Sequence, residues 1–237
     1  MSQSKLINDT KSFATYLIGW VNSLPEKKIG EISIQPEKTA IVVVDVTNGF
    51  CKSGPLASSR GASIIPNVVD VIKGAWNFGI RQIILSQDSH EPDALEFNTW
   101  PVHCVRGTEE ADSVDEIKNL PFYDELTIYP KNSLSSDIGT GFYRWRKSHD
   151  ELDTYIIMGT CTDICVYELA VQLRVEADAH QLKRNVIIPA NCVQTYDYPL
   201  EMAIEKGGLP HPGDLTHALF LYHSALNGVE VIDRVIF

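Results

Sequence analysis

The sequence predicts an α/β fold with a doubly wound, mainly parallel sheet of six strands and helices on both faces. Short runs rich in β-branched residues recur along the chain, they are apolar throughout instead of alternating, and helical patterns separate them. Continuous apolar runs are typical of parallel strands covered on both faces, and the β-α-β order implies crossover helices. The predicted strands are 40–46, 81–86, 126–129, 154–159, 185–189 and 229–233.

Helical patterns occupy the stretches between the predicted strands. In "SIIPNVVDVIKGAWNFG", Gly79 indicates the end of a helix, because glycine readily adopts the left-handed conformation that closes one. In "TDICVYELAVQLRVEADAH", Thr162 and Asp163 resemble an N-cap. The other helical patterns are "DIGTGFYRWRKSH", "DYPLEMAIEKGG" and "GDLTHALFLYHSAL".

Residues 1–38 are predicted to be an N-terminal helical extension, followed by one domain at 39–237. The segment "DTKSFATYLIGWVNSL" repeats apolar residues along one helical face, and the polar segment "PEKKIGEISIQPEK" follows it. We expect the helix to pack on the domain or on a partner subunit. The apolar face comprises Phe13, Leu17, Trp20, Val21 and Leu24.

Length, charge and cysteine content narrow the functional class. The chain has 237 residues, 44% of them hydrophobic, which suffices for one large core. A formal charge of −11 argues against a nucleic-acid surface, which needs clustered Lys and Arg, and favours a small-molecule partner. Five cysteines are an odd number in a chain too large to need disulfides, so we expect free thiols and a cytoplasmic location. The sequence shows neither a basic, apolar leader nor an apolar run approaching about 18 residues, so no membrane partner is expected.

Chemically active residues follow four of the predicted strands. Ligands of open α/β sheets bind at the carboxyl ends of the strands, where such residues would meet. The sequence therefore predicts that an acid, a lysine, a cysteine and metal-ligand side chains converge on one edge of the sheet. In chain order they are Asp45, Asp88 with His90, Lys131, and the segment "GTCTDIC".

Cys161 and Cys165, both in that last segment, allow three functional interpretations. A redox pair usually has the spacing CxxC, which is one residue shorter, and a zinc half-site would need a second CxxC or an HxxxH. As a nucleophile, Cys165 would lie in the first turn of a helix, where the helix dipole favours a thiolate. The structural alternative, two small residues buried beside the sheet, is common for free cysteine. Asp45 and Lys131 on neighbouring strand ends favour the nucleophile.

Several ordered blocks of the sequence resemble the isochorismatase-like cysteine hydrolases, and within them the nicotinamidases. The blocks are "VVDVTNGF", "DSHEPD", "WPVHCVRGT", a lysine at a strand end and "GTCTDICV", over about 39–193. The segment "HPGDLTHALFLY" resembles the C-terminal helix of some members. By this resemblance Asp45, Lys131 and Cys165 would form an Asp-Lys-Cys triad that converts nicotinamide to nicotinate and ammonia.

The residue types of this triad suit amide hydrolysis. An amide is a poor electrophile, so the reaction needs a strong nucleophile, a proton for the departing ammonia and donors for the oxyanion. Cys165 would supply sulfur, Asp45 would move the proton, and Lys131 would keep the acid ionised. The resemblance places the oxyanion donors at the backbone amides of Cys161 and Cys165, and it implies a cis peptide bond between Thr160 and Cys161. The alternative for Asp45 and Lys131 is a structural ion pair.

A second group of residues suits a divalent metal ion. Asp88 and His90 are two apart on an extended strand end, so both can turn to one side, and Glu96 and His103 return from a loop. Two imidazoles and two carboxylates suit zinc, iron or manganese, and we expect zinc. Similar proteins frequently have His as the third ligand, whereas Glu96 occupies the nearest place here, so the metal stays open. The resemblance implies that the ion coordinates the pyridine nitrogen and orients the ring.

The resemblance also assigns substrate contacts and an oligomeric state. It places Phe50 and Trp100 on opposite faces of the substrate ring, and it implies a homo-oligomer. The remaining histidines have no grouped carboxylate or histidine in the sequence, and we expect them at the surface or in helix packing. They are His149, His180, His211, His217 and His223.

Two other functions stay open at this level. Another hydrolase of the superfamily would act on isochorismate, N-carbamoylsarcosine or a ureido compound, and substrates without a ring nitrogen have less need of the metal ligands. A non-catalytic relative would keep the fold as a binding module, with residues 1–38 as its docking element. The metal-ligand residues and the complete triad favour the nicotinamidase interpretation.

Overall fold

A computed structural model describes residues 2–237, and its centre is a sheet of seven strands in which every pairing is parallel. The order of the six longer strands is β4-β3-β2-β5-β6-β8, and β7 pairs with the end of β5. A separate parallel pair joins β1 to β9. Within these residues the strands are β1 (Lys27–Lys28), β2 (Thr39–Val44), β3 (Gln82–Asp88), β4 (Thr127–Lys131), β5 (Thr154–Thr160), β6 (Asn185–Pro189), β7 (Val193–Gln194), β8 (Glu230–Ile232) and β9 (Val235–Ile236).

Helices connect the strands and cover both faces of the sheet. Short 3₁₀ helices lie at Pro36–Lys38, Leu95–Asn98, Glu109–Ala111, Tyr123–Glu125 and Ala190–Cys192. Among the described residues no helix combines the length and the apolar character needed to cross a bilayer. The α-helices are α1 (Gln3–Asn22), α2 (Ile29–Ile32), α3 (Asn48–Cys51), α4 (Ser59–Ser63), α5 (Ile65–Phe78), α6 (Asp115–Lys118), α7 (Gly141–Lys147), α8 (Cys165–Ala179), α9 (Leu200–Lys206) and α10 (Gly213–Leu226).

The doubly wound α/β fold predicted from the sequence is confirmed. All six predicted strands form, and the seventh, β7, has only two residues, too few for an apolar run to show. Alternate residues of the fully buried strand β2 enter two different cores: Ile41 and Val43 pack on the side of α5, and Val42 and Val44 on the side of α8. Because both faces of the strand are buried, its sequence is apolar throughout.

The N-terminal helix α1 packs on α10 of the domain. The ring of Tyr222 on α10 makes edge contacts with Phe13, Tyr16 and Trp20, and Leu17 is buried between the helices. The short pair β1–β9 adds a second contact with the C-terminus. The predicted apolar face of α1 therefore packs on the domain of the same chain. The division of the chain into an extension and a domain stays a prediction.

Gly159 allows β5 to approach β2 at the edge where the candidate site lies. It pairs with Val44, its φ is +122°, and an added Cβ would lie 1.8 Å from the Val44 carbonyl oxygen. No side chain fits at that distance. The glycine therefore sets the spacing between the ends of the two strands.

Gly159→Ala is expected to lower the free energy of unfolding by about 3 kcal/mol or more, because strained backbone and a collision with a buried strand add together. Urea unfolding measures the loss. Gly107→Ala is the matched control: Gly107 also has a positive φ, +79°, but no atom of residues 2–237 lies within 4 Å of its added Cβ, so a loss of about 1 kcal/mol is expected. Equal losses in the two variants would contradict the close approach.

Candidate active site

Four predicted site residues meet at the carboxyl edge of the sheet. Asp45 follows β2, Asp88 ends β3, Lys131 ends β4, and Cys165 begins α8 after the turn that follows β5. The parallel register explains the meeting, because Asp88 pairs directly with Lys131, and β3, which carries Asp88, is the neighbour of β2. Asp45 and Lys131 were expected on neighbouring strand ends, but β3 lies between β2 and β4, and the long Lys131 side chain reaches past Asp88 to Asp45. All four residues are buried.

Lys131 is the centre of this group. Its Nζ lies 2.8 Å from Asp45 Oδ2 and 3.7 Å from Cys165 Sγ, and it also forms an ion pair with Asp88 Oδ1. Burial alone would lower the pKa of Lys131, but the carboxylates of Asp45 and Asp88 outweigh burial and hold the pKa well above its usual value. The side chain is therefore a permanent ammonium between two acids and the thiol.

Backbone groups fix the position of Asp45. The residue has φ +52°, its N–H donates to Ser86 O (2.9 Å), and its Oδ1 accepts from the Asp88 N–H (2.8 Å). The Thr160 hydroxyl donates to its carbonyl oxygen (2.9 Å). Oδ2 faces Lys131 and has no well-directed hydrogen bond within residues 2–237, so this oxygen can accept a proton.

Burial and the neighbouring charges also set the proton affinity of Asp45. Burial, and then the Asp88 carboxylate, raise the pKa of Asp45 to about 6, while Lys131 opposes the rise. The group is therefore mostly ionised at neutral pH, yet it takes up a proton more readily than an exposed aspartate. This is the proton affinity that an acid-base catalyst needs near neutral pH.

The Cys165 thiol differs from the expectation of a favoured thiolate. It lies at the first position of α8, as predicted, but the residue is only 6% exposed. Burial raises the pKa of Cys165 well above its usual value, and the nearby Lys131 opposes this only in part. The structure therefore holds a protonated thiol, because desolvation of the sulfur outweighs the helix terminus and the ammonium.

The turn between β5 and α8 presents free backbone donors. The Thr160–Cys161 peptide bond is cis, and the Cys161 carbonyl accepts from the N–H groups of Ile164 (3.1 Å) and Val166 (3.2 Å). The N–H groups of Cys161 and Cys165 have no acceptor in the described part of the chain. Two amides in such a turn can bind a developing oxyanion.

Asp88, His90 and His103 form a buried group beside the lysine. Asp88 Oδ2 lies 3.5 Å from His90 Nε2 and 3.5 Å from His103 Nε2, and one ligand atom from each of the three residues lies within 4.8 Å of the other two. Burial would raise the pKa of Asp88, but Lys131 and the two imidazoles hold it well below its usual range. Asp88 thus contacts the lysine with one oxygen and this group with the other. Glu96 Oε1 lies 4.0 Å from His90 Nε2, just outside the group.

The chemistry of these three residues fits a divalent metal ion. Both ring nitrogens of His90 are buried without a hydrogen-bond partner among residues 2–237, which is costly unless another group satisfies them. His103 Nδ1 lies 2.8 Å from Pro101 O, which can only accept, so Nδ1 is the donor there and Nε2 is the ring nitrogen on the side of Asp88 that a metal ion could use. A neutral imidazole oriented in this way and a carboxylate are typical metal ligands.

A cavity of about 480 Å³ opens beside the thiol and the metal-ligand group. Phe50 and Trp100 both line it, as the resemblance implied; Phe50 contacts His103 edge-on at 5.6 Å, and Trp100 contacts Tyr196 edge-on at 6.2 Å. Their location on opposite faces of a substrate ring stays a prediction. Further apolar and aromatic walls come from Leu56, Leu134, Ile164, Tyr196, Tyr198 and Leu209.

Two histidines that were expected at the surface or in helix packing lie beside the site instead. His217 Nδ1 lies 2.8 Å from the Thr162 hydroxyl, and His211 Nε2 lies 2.8 Å from Asp163 Oδ2. The N-cap assignment of Thr162 and Asp163 was wrong: the cap of α8 is Ile164, without a side-chain hydrogen bond, because both side chains bind histidines instead. The block "HPGDLTH" carried both histidines and was the available signal.

Comparison with known proteins identifies the family of the chain. The isochorismatase domain matches residues 39–206. Nicotinamidase 1 of Arabidopsis thaliana is 32% identical over 213 residues, which cover 83% of this chain and 86% of that protein. The nicotinamidase/pyrazinamidase of Mycobacterium tuberculosis is 30% identical over 146 residues, 55% of this chain and 76% of that protein.

Solved structures show the same fold. The pyrazinamidase of Pyrococcus horikoshii in complex with zinc has a TM-score of 0.63 and 22% identity, and the match covers 82% of this chain and 98% of that one. The N-carbamoylsarcosine amidase of Thermoplasma acidophilum has a TM-score of 0.62 at 22% identity, with 82% and 95% covered. The resemblance stated from the sequence is confirmed, and the chain belongs to the isochorismatase family.

Proposed function

We propose that the protein is a nicotinamidase, which hydrolyses nicotinamide to nicotinate and ammonia. The observation that carries the proposal is the position of Lys131, whose one ammonium contacts an acid, a thiol and a metal-ligand carboxylate beside the same cavity. A structural ion pair would not require a thiol within 3.7 Å of it. The nicotinamidase relatives from a plant and from bacteria support the substrate.

In the first half of the reaction, Cys165 would be the nucleophile. Asp45 accepts the thiol proton as Sγ attacks the carboxamide carbon, and Lys131 stabilises the negative charge on sulfur. The backbone N–H groups of Cys161 and Cys165 donate to the oxyanion. Asp45 then returns the proton to the leaving nitrogen, so that ammonia departs and a Cys165 thioester remains.

In the second half, water would hydrolyse the thioester. The water oxygen attacks the thioester carbon while Asp45 accepts a proton from the water. The same backbone amides bind the second oxyanion. The C–S bond breaks, the proton returns to Sγ, and nicotinate leaves. Because its pKa is about 6, Asp45 can act as base and as acid in turn near neutral pH.

We propose that the metal ion is zinc, held by Asp88, His90 and His103 with Glu96 as a fourth ligand. Such an ion would coordinate the ring nitrogen and so orient the pyridine ring. Phe50 would pack against the ring, where an aromatic contact contributes about 0.5–1.5 kcal/mol beyond burial. Trp100 would face it from the other side.

We also propose that the protein acts in the cytoplasm as a homo-oligomer on a small molecule, without nucleic acid or membrane. All five cysteines are free and buried, which suits a reducing compartment. The net charge of −11 disfavours phosphate binding. Several apolar residues of α1, Ile7 and Ile18 among them, are exposed and would suit a subunit contact.

Ammonia release from three amides tests the substrate. We expect nicotinamide and pyrazinamide, which have a ring nitrogen, to be hydrolysed, and benzamide, which lacks one, to react at least about 100-fold more slowly, because misplacing the carbonyl by 1 Å costs about that factor. N-carbamoylsarcosine is the control for the other hydrolases of the family. Benzamide turned over as fast as nicotinamide, or a preference for the carbamoyl compound, would overturn the proposal.

A further inference from the structure

The turn at 161–165, called here the oxyanion loop, is tied to a segment far away in the chain. Asp163 in this loop accepts from the Thr195 hydroxyl with Oδ1, and its Oδ2 lies 2.8 Å from His211 Nε2. The side chains of Asp163 and His211 are only 7% and 14% exposed. Solvent therefore screens this pair far less than it screens a surface ion pair.

Both ring nitrogens of His211 make polar contacts. Its Nδ1 lies 3.0 Å from the carbonyl oxygen of Tyr196, which can only accept, so Nδ1 is the donor there. Its Nε2 lies 2.8 Å from Asp163 Oδ2, and the same carboxylate accepts from Thr195, so Asp163 connects the loop to two residues of the distant segment. Hydrogen bonds to an ionised carboxylate are about twice as strong as hydrogen bonds between neutral groups.

The face of the same imidazole supports the wall of the cavity. It stacks on the Tyr196 ring with a centroid distance of 3.9 Å and an interplanar angle of 11°, and Tyr196 lines the cavity next to Cys161. His211 therefore contacts the oxyanion loop through Nε2, and it contacts Tyr196 on the pocket wall through Nδ1 and its ring face. A substitution can remove one contact and keep the other.

The second histidine at the loop makes a weaker tie. Within residues 2–237 the one hydrogen bond of the His217 side chain is to the Thr162 hydroxyl. Burial, followed by the charge of Arg60, lowers the pKa of His217 to about 4, so it is neutral. A neutral hydrogen bond to a hydroxyl holds the loop less firmly than a hydrogen bond to a carboxylate. His211 is the stronger of the two.

We infer that His211 is a positioning residue for oxyanion binding: through Asp163 it holds the loop whose Cys161 and Cys165 amides receive the oxyanion. The inference rests on the proposed hydrolase function. Oxyanion donors act only when they are held in place before the reaction, and loss of one typically costs about 10²–10³-fold in kcat. Loosening the loop without removing a donor is expected to cost less, about 10-fold or more.

A double-mutant cycle tests the inference. His211→Phe keeps a ring to stack on Tyr196 but loses both N–H donors, and Asp163→Ala removes the carboxylate. We expect each to lower kcat about 10-fold or more with KM within about 3-fold, because the interaction matters in the transition state and the pocket wall is kept. The kcat of the double variant should lie within about 3-fold of the kcat of the less active single variant, since the two residues act as one unit.

Two further variants serve as controls. His223→Phe replaces an exposed histidine of α10, which bonds Tyr167, by the same residue type. Its kcat should stay within about 2-fold of wild type. Asp163→Asn keeps an acceptor without the charge, so its kcat should fall between wild type and Asp163→Ala, and it covers the case in which the alanine variant does not fold.

Several results would overturn the inference. They are additive losses in the cycle, a change in KM with kcat intact, or a kcat for His211→Phe that equals that of His223→Phe. The cycle is run on whichever amide or ureido substrate the wild type hydrolyses, so failure with nicotinamide would count against the proposed substrate alone. Hydrogen exchange of the 161–166 amides is the readout independent of substrate: it should rise in His211→Phe and Asp163→Ala but not in His223→Phe, and unchanged exchange would contradict the tie.

Discussion

Cys165→Ala is expected to lower kcat for amide hydrolysis by at least about 10³-fold while the protein keeps its fold, because the nucleophile is lost but a small buried residue remains. In the described part of the chain, Cys165 is the only cysteine bonded to Lys131. Initial rates of ammonia release and the circular dichroism of the variant measure the two outcomes.

Cys161→Ala is the matched control for this variant. Cys161 lies four residues away, is equally buried and lines the same cavity, but its proposed role uses only the backbone N–H. Burial raises the pKa of its thiol to about 12, as it raises that of Cys165, but within residues 2–237 only the Cys165 sulfur has a hydrogen bond to Lys131, so Cys161 lacks the ammonium that would stabilise a thiolate during attack. We expect its kcat to stay within about 10-fold of wild type. If both variants lose activity equally, the nucleophile assignment is wrong and a redox pair becomes the better interpretation.

Removal of the metal ion is expected to lower kcat/KM for nicotinamide by about 100-fold or more, because the ring loses the contact that would orient its carboxamide. Chelation, or His90→Ala combined with His103→Ala, should have this effect, and a divalent ion should restore only the chelated wild type. Cys165 should still react with iodoacetamide in each case, since no metal ligand is needed for alkylation. Activity that is indifferent to both treatments would contradict the metal's proposed role.

Glu96→Ala tests whether Glu96 is a fourth metal ligand. Three ligands would remain, so we expect metal affinity to fall about 10–100-fold instead of being abolished. Metal content after dialysis against graded chelator measures it. A metal affinity equal to that of wild type would remove Glu96 from the proposed ligand set. Its Oε1 lies 4.0 Å from His90 Nε2, farther than Asp88 Oδ2.

Much of the fold and the positions of the main side chains could be predicted from the sequence. The apolar runs are local signals, and the rule that parallel strands end at one edge converts them into a prediction of proximity. Asp45, Lys131 and Cys165 do meet at that edge, and Asp88 lies beside them. Their catalytic roles stay predictions.

The sequence by itself determined which functional residues follow which strand, and therefore which of them reach the same edge of the sheet. Only the tertiary structure decided how these residues share their charges, because burial and distance do not appear in a local pattern. Desolvation keeps the Cys165 thiol protonated, although its place at a helix start favours a thiolate. Likewise the local sequence around Asp163 resembles an N-cap, but in the fold Asp163 contacts His211, which is 48 residues away.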